Sequence, residues 1–169
     1  AGKSVYCDET GGDYYDFISI KYNDKQKFGV AIGDVSGHGI SSALLMATVR
    51  SSLRQRASLP GGIADIISDV NRQLVQDVED SGQFMTMFFM TLDTESRQIE
   101  WVRAGHDPAI IYDPGSDSFN ELSGSGIALG VDGGWIYKDN KKTDLSKGQI
   151  IFLSTDGVWE VRNKKGKML

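Results

Sequence analysis

Residues 14–33 read YYDFISIKYNDKQKFGVAIG, two apolar runs separated by the polar stretch Asn23-Asp24-Lys25. In the first arm, 14–22, Ile18, Ile20 and Tyr22 fall on one face. In the second, 27–33, Phe28, Val30 and Ile32 do the same. Alternation with period two on both sides of a polar turn predicts an antiparallel hairpin. The opposite face of the second arm is Gly29, Ala31 and Gly33, small enough for another layer to approach closely. A turn centred near Asp24 pairs residues whose numbers sum to about 48, placing Asp13 opposite Val35 and Asp34 opposite Tyr14.

Upstream, residues 3–7 read as a short strand. Downstream the period changes. Residues 40–56 (ISSALLMATVRSSLRQR) form a helix that is apolar in its first half, so its start is expected to be buried. Ile63, Ile66, Ile67, Val70, Leu74 and Val78 lie at i, i+3, i+4, i+7, i+11 and i+15, an amphipathic helix introduced by Pro60-Gly61-Gly62. Strands follow at 84–93, 98–104 and 109–112, with a weaker one at 135–139. The run QIIFLS at 149–154 reads as a strand covered on both faces. Strands, two adjacent helices and then more strands predict an α+β fold, an antiparallel β-sandwich of two packed sheets flanked by α-helices. Met85, Met87 and Met90, with Phe84, Phe88 and Phe89, belong to its core.

Composition limits the function. A chain of 169 residues with 40% hydrophobic and 24% charged residues is expected to be a single domain, residues 1–169. It starts abruptly, without a secretory signal, as a domain cut from a longer chain would. No apolar run approaches the ~20 residues that span a bilayer. One cysteine, Cys7, fits a reducing, cytoplasmic setting and is read as a half-buried strand residue. The net charge of −5 gives no general attraction to nucleic acid, and the basic tail 162–167 reads as a solvated turn. With two histidines and one cysteine, a structural zinc site is not expected. Any metal bound here is a hard cation on oxygen ligands.

The hairpin brings Asp13 and Asp34 to one open end. Like charges that close repel unless a cation lies between them. Gly11-Gly12 before Asp13 and Gly37-His38-Gly39 after Asp34 leave room for a ligand, and the helix beginning at Ile40 turns its unpaired N–H groups to the same end. A third carboxylate, Asp156, ends the strand at 149–154 within Ser154-Thr155-Asp156-Gly157. Each aspartate alone is an ordinary strand-end turn residue; three together make a hard-cation site. Asp16, on the other strand face, is read as structural or supporting. Ser36 lacks the spacing of a nucleophile elbow.

GGDYYDF at 11–17, GDVSGHG at 33–39 and STDGVWE at 154–160 resemble the signature segments of PPM-type (type 2C) protein phosphatases, and most closely the bacterial SpoIIE/RsbU-like branch. AGHDP at 104–108 and FMTMFF at 84–89 are similar to that branch too. The resemblance implies a two-metal Mn²⁺ or Mg²⁺ site: Asp34 bridging both ions as the catalytic centre, Asp13 and Asp156 each holding one, and the Val35 carbonyl as a further ligand. His38 is a candidate phosphate contact, and His106 is read as structural. The implied substrate is a phosphoserine or phosphothreonine protein, typically a small anti-sigma-factor antagonist, in a parent chain carrying sensor or regulatory domains. The branch places another metal-binding aspartate ahead of a last strand, and residues 162–169 contain no acidic residue. That strand and ligand are expected to be missing. The rival reading is a phosphatase-like module that binds without turnover. A carboxylate-metal nuclease is disfavoured by the charge.

Overall fold

β1 (Tyr14–Tyr22) and β2 (Lys25–Val35) form the expected hairpin in the computed structural model, which describes residues 1–4, 10–22 and 25–158. The register differs from the expectation by one residue. Tyr22 pairs with Lys25 and Tyr14 with Gly33. Because side chains alternate along a strand, a shift of one changes which residues meet. Asp34 therefore does not face Tyr14, nor Asp13 Val35.

α1 (Ile40–Ala57) and α2 (Ile63–Val78) follow, then β3 (Met85–Asp93), β4 (Gln98–Ala104), β5 (Ala109–Asp113), β6 (Ser118–Leu122), β7 (Asn140–Lys142) and β8 (Ile150–Phe152). One sheet has the order β1-β2-β3-β4-β7 and the other β6-β5-β8, with every pairing antiparallel. Both helices pack on the five-stranded sheet, so the layers run helices, large sheet, small sheet. This is the α+β sandwich expected from the element order.

Two cores hold the layers together. Between helices and large sheet lie Ala31, Val35, Leu45, Leu53, Ile66, Leu74, Met85, Met87 and Phe89. Between the sheets lie Phe88, Met90, Ile99, Trp101, Ala109, Ile111 and Leu122, with Val30 and Ile32 against them. β3 serves both, which is why Met87–Thr91 is buried without alternation. Truncating Phe89 to alanine would cost about 3–5 kcal/mol. Phe84, just outside the strand, is 40% exposed and is not part of the core.

Three other expectations change. The buried stripe of α1 is Ser42, Leu45, Val49, Leu53 and Ala57, along the whole helix, while Ile40 and Leu44 are exposed. Its start is half open because the stripe that meets β1 and β2 passes through Ser42, whose hydroxyl donates to the Ser36 carbonyl. Residues 135–139 are not a strand. Tyr137 is buried there, its N–H bonded to Ser68 Oγ and its hydroxyl to the Ile127 carbonyl, so side chains rather than a ladder fix the segment. β8 is short and exposed at Ile150 and Phe152 instead of covered on both faces. Among the described residues it pairs only with β5 and forms the sheet edge. The expected strand at 3–7 and Cys7 lie largely outside the described residues, as does the basic tail; Lys3 and Ser4 belong to no element.

Asp16 ties α1 to the hairpin. Its carboxylate, only 8% exposed, accepts bonds from Arg54 Nε (2.6 Å), Arg54 Nη2 (2.5 Å) and the Tyr14 hydroxyl (3.0 Å), with Arg50 Nε at 3.5 Å. Burial pushes its pKa up, but the Arg54 and Tyr14 bonds outweigh burial and hold it below the usual carboxylate value. The structural reading of Asp16 stands.

Candidate metal centre

Val35 N–H donates to the Gly12 carbonyl (3.3 Å) just beyond the Tyr14–Gly33 pair, so Asp13 directly faces Asp34 at the open end of the hairpin. Two half-buried carboxylates meet across the ribbon, closer than the register with Val35 would have brought them. On its other side Asp34 pairs with Thr86 of β3. Asp156 opens a short 3-10 turn (Asp156–Val158) after β8 and is exposed.

Asp34 registers the charges around it. The Asp34 carboxyl is pushed from 3.8 up to about 6, first by burial, then by the negative charges of Asp13 and Asp156, with the Val35 N–H working the other way. Asp34 thus senses both of the other sequence-predicted carboxylates. They do not form a closed cage: among the described residues no three His, Cys, Asp or Glu side chains are close enough to hold one ion between them.

Gly12 keeps the site open. A Cβ added there would stand 2.8 Å from the Val35 carbonyl oxygen and 3.3 Å from Asp34 Oδ1. Only a glycine leaves these two oxygens clear on that side. Two facing carboxylates and the Val35 carbonyl, with space kept beside that carbonyl and Asp34 Oδ1, are oxygen donors that suit a hard divalent cation such as Mg²⁺ or Mn²⁺.

The remaining candidates separate clearly. His38 is exposed between Gly37 (φ 85°) and Gly39 (φ 83°) and has no hydrogen bond or ion pair among the described residues. Ser36 Oγ accepts the Phe84 N–H (3.0 Å), which makes it a brace between the α1 entry loop and β3. His106 is 4% exposed, with Nδ1 2.8 Å from Thr86 Oγ1 and Nε2 3.2 Å from the Ser154 carbonyl. Burial lowers its pKa, which favours the neutral ring. Gly12 leaves room beside Asp34, as the sequence led us to expect. Thr86 and the partners of His106 are what the sequence reading missed: the motifs FMTMFF and AGHDP contain these residues, but no spacing rule brings those motifs together. An apolar groove of about 550 Å³ runs from Asp13 and Ser154-Thr155 between the sheets, lined by Phe17, Val30, Ile32 and Phe152.

The Stage II sporulation protein E (SpoIIE) family profile matches residues 24–169. The chain belongs to the SpoIIE family. Phosphoserine phosphatase RsbU of Bacillus subtilis (strain 168) is 32% identical to this SpoIIE-family chain over 163 residues, 96% of the chain and 47% of RsbU. The crystal structure of the RsbU and RsbW domains of Rv1364c from Mycobacterium tuberculosis shares its fold with a TM-score of 0.78 at 24% identity, covering 95% of this chain and 43% of that one. RsbX, solved in complex with magnesium, matches with a TM-score of 0.63 at 21% identity over 85% of this chain and 65% of RsbX. The chain spans less than half the length of the curated relatives it matches. The branch read from the sequence motifs and the fold it implied both agree with these findings.

Proposed function

We propose that this SpoIIE-family chain is a metal-dependent protein phosphatase domain that hydrolyses phosphoserine or phosphothreonine. The observation that carries the reading is Asp13 facing Asp34 across the open end of the hairpin, beside the space that Gly12 keeps clear, and the Asp34 carboxyl is raised to about 6 there. Carboxylates that face one another beside a glycine-cleared space repel until a cation lies between them. In this reading Asp13, Asp34, Asp156 and the Val35 carbonyl are the groups that would hold Mn²⁺ or Mg²⁺, with Asp34 the central carboxylate. Bound there, the metal supplies an acidic water at neutral pH and positive charge for the phosphoryl oxygens. The chain's own residues then orient and shield. Gly12 keeps the Val35 and Asp34 oxygens accessible, and His38 at the α1 entry contacts the phosphate. Ser36 is engaged with Phe84 and is not the nucleophile.

The name of RsbU supports the substrate class, and the magnesium in RsbX supports the cofactor. We infer a phosphorylated anti-sigma-factor antagonist as substrate, a cytoplasmic location, and regulatory domains elsewhere in the parent protein. No helix among the described residues is long and apolar enough to cross a membrane. The second reading, a module that binds phosphoprotein without turnover, is favoured by the open arrangement of the three aspartates. Phosphate release from a phosphoserine peptide with added Mn²⁺ decides between them. Turnover that chelator abolishes supports the phosphatase, and no turnover at saturating Mn²⁺ supports the binding module.

A further inference from the structure

His106 joins β3, which pairs with Asp34 through Thr86, to the chain segment that leads into Asp156. The Ser154 carbonyl can only accept, so His106 Nε2 carries the proton and donates to it (3.2 Å). Nδ1 then holds a lone pair and accepts from the Thr86 hydroxyl at 2.8 Å. Thr86 is the residue paired with Asp34 across β2 and β3, and its Oγ1 also lies 3.4 Å from the Asp34 carbonyl. Ser154 is two residues before Asp156, in the stretch after β8 where no ladder continues. Among the described residues no other side chain hydrogen-bonds to residues 153–155. One ring thus spans from the large sheet at Asp34 to the loop that delivers Asp156.

The ring itself is fixed from behind. Arg103 Nε donates to the His106 carbonyl, and Arg103 Nη1 to the Gly124 carbonyl at 3.1 Å. Gly105 adopts φ 70°, and a Cβ there would stand 2.7 Å from the Ala128 backbone nitrogen, so the backbone reaches His106 along a path that excludes other residues. A buried imidazole with both nitrogens engaged and a braced backbone is a rigid strut.

We propose that His106 is a positioning residue for the metal centre, setting the separation between the Asp34 strand and the Asp156 loop through Thr86 Oγ1 and the Ser154 carbonyl. This rests on the metal-site reading given above. It assigns His106 no contact with substrate or ion. Groups that orient metal ligands without binding the metal typically contribute ~10–100-fold in metal affinity, and that is the effect expected here.

The test is Mn²⁺ binding by titration calorimetry to the wild-type chain and to His106→Ala, His106→Gln and Thr86→Val, with circular dichroism and the metal-free melting temperature recorded for each. His106→Ala should keep the fold and bind Mn²⁺ about 10–100-fold more weakly. His106→Gln, whose amide N–H still reaches toward Ser154, should recover part of the loss. Thr86→Val keeps shape and removes the hydroxyl, so it should weaken binding in the same direction. If His106→Ala does not fold, His106→Gln and Thr86→Val carry the test. The loss in His106→Ala should also coincide with that of Asp156→Asn in the double variant rather than add to it, because both act through one ligand. Folded variants that bind Mn²⁺ as tightly as wild type, or losses that add, overturn the proposal while leaving the metal site intact. A wild-type chain that does not bind Mn²⁺ overturns the site reading and this inference with it.

Discussion

Asp13 faces Asp34 across the open end of the β1–β2 hairpin, one step beyond the Tyr14–Gly33 pair and just before the Val35-to-Gly12 hydrogen bond. Directly opposed carboxylates on an antiparallel ribbon are destabilising. Here Asp156 adds a third charge, and burial removes part of the solvent that would screen them.

The pH dependence of the metal-free protein follows. Asp34 titrates near 3.8 when unfolded and at about 6 when folded. The folded state therefore binds this proton more tightly, and its contribution favours folding most below pH 3.8. That contribution is lost as pH rises to about 6. A pKa unit corresponds to about 1.4 kcal/mol, and partial solvent screening reduces the loss to about 1–2 kcal/mol. Asp34→Asn should remove this component and melt higher than wild type at pH 8 without metal. Thermal melts at pH 5 and pH 8 measure it. An Asp34→Asn variant less stable than wild type at pH 8 refutes the repulsion.

Asp16 behaves in the opposite sense. Its pKa is held below the ordinary value chiefly by Arg54 and Tyr14, against burial. Its contribution is present above the unfolded pKa and disappears as pH falls through the folded one. Arg54→Ala leaves a carboxylate that is 8% exposed with Arg50 at 3.5 Å and the Tyr14 hydroxyl as partners. The loss should be about 1.5–3 kcal/mol at pH 7. Urea unfolding at pH 7 and pH 3 should show a larger difference from wild type at the first than at the second.

Much of this site is visible in the sequence because each aspartate ends or flanks a strand beside glycine, a pattern that survives without knowing the fold. The register was off by one because it depends on where the turn closes, and Tyr22 pairs with Lys25 rather than across a turn centred on Asp24. α1 misled because apolar Ile40, Leu44 and Met46 cluster in its first half, whereas burial follows a stripe containing polar Ser42. β6 (SFNEL) was missed because it is a mostly exposed edge strand with a single buried residue, Leu122. The role of His106 was out of reach: Thr86 and Ser154 are 20 and 48 residues away, and only the packed sheets bring them to one ring.

Gly12→Ala tests the cleared space. Its Cβ would meet the Val35 carbonyl oxygen at 2.8 Å, which forces the backbone or the ligand oxygens to move. Displacements on that scale in a reacting site cost about 10²-fold in rate, whereas overpacking costs about 1–3 kcal/mol in stability. Mn²⁺-dependent phosphate release should therefore fall by about two orders of magnitude in a protein that still folds at 25 °C. Unchanged turnover in this variant would remove Gly12 and the Val35 carbonyl from the site.

The metal reading stands or falls on a comparison that needs no substrate. A ligand that binds only the folded state stabilises it by RT ln(1 + [L]/Kd), about 2.7 kcal/mol at a hundredfold excess over Kd. For a chain of 169 residues that corresponds to a rise of about 5–10 °C in melting temperature. Mn²⁺ should produce this rise in the wild type, and chelator should reverse it. Asp34→Asn removes the central carboxylate of the site in this reading, so its melting temperature should start higher at pH 8 and not respond to Mn²⁺. The two effects have one cause: the repulsion among Asp13, Asp34 and Asp156 that destabilises the metal-free protein is the attraction a cation uses. A variant that lacks the repulsion and still shows the full Mn²⁺ shift would place the ion elsewhere, and the phosphatase mechanism would lose its physical basis.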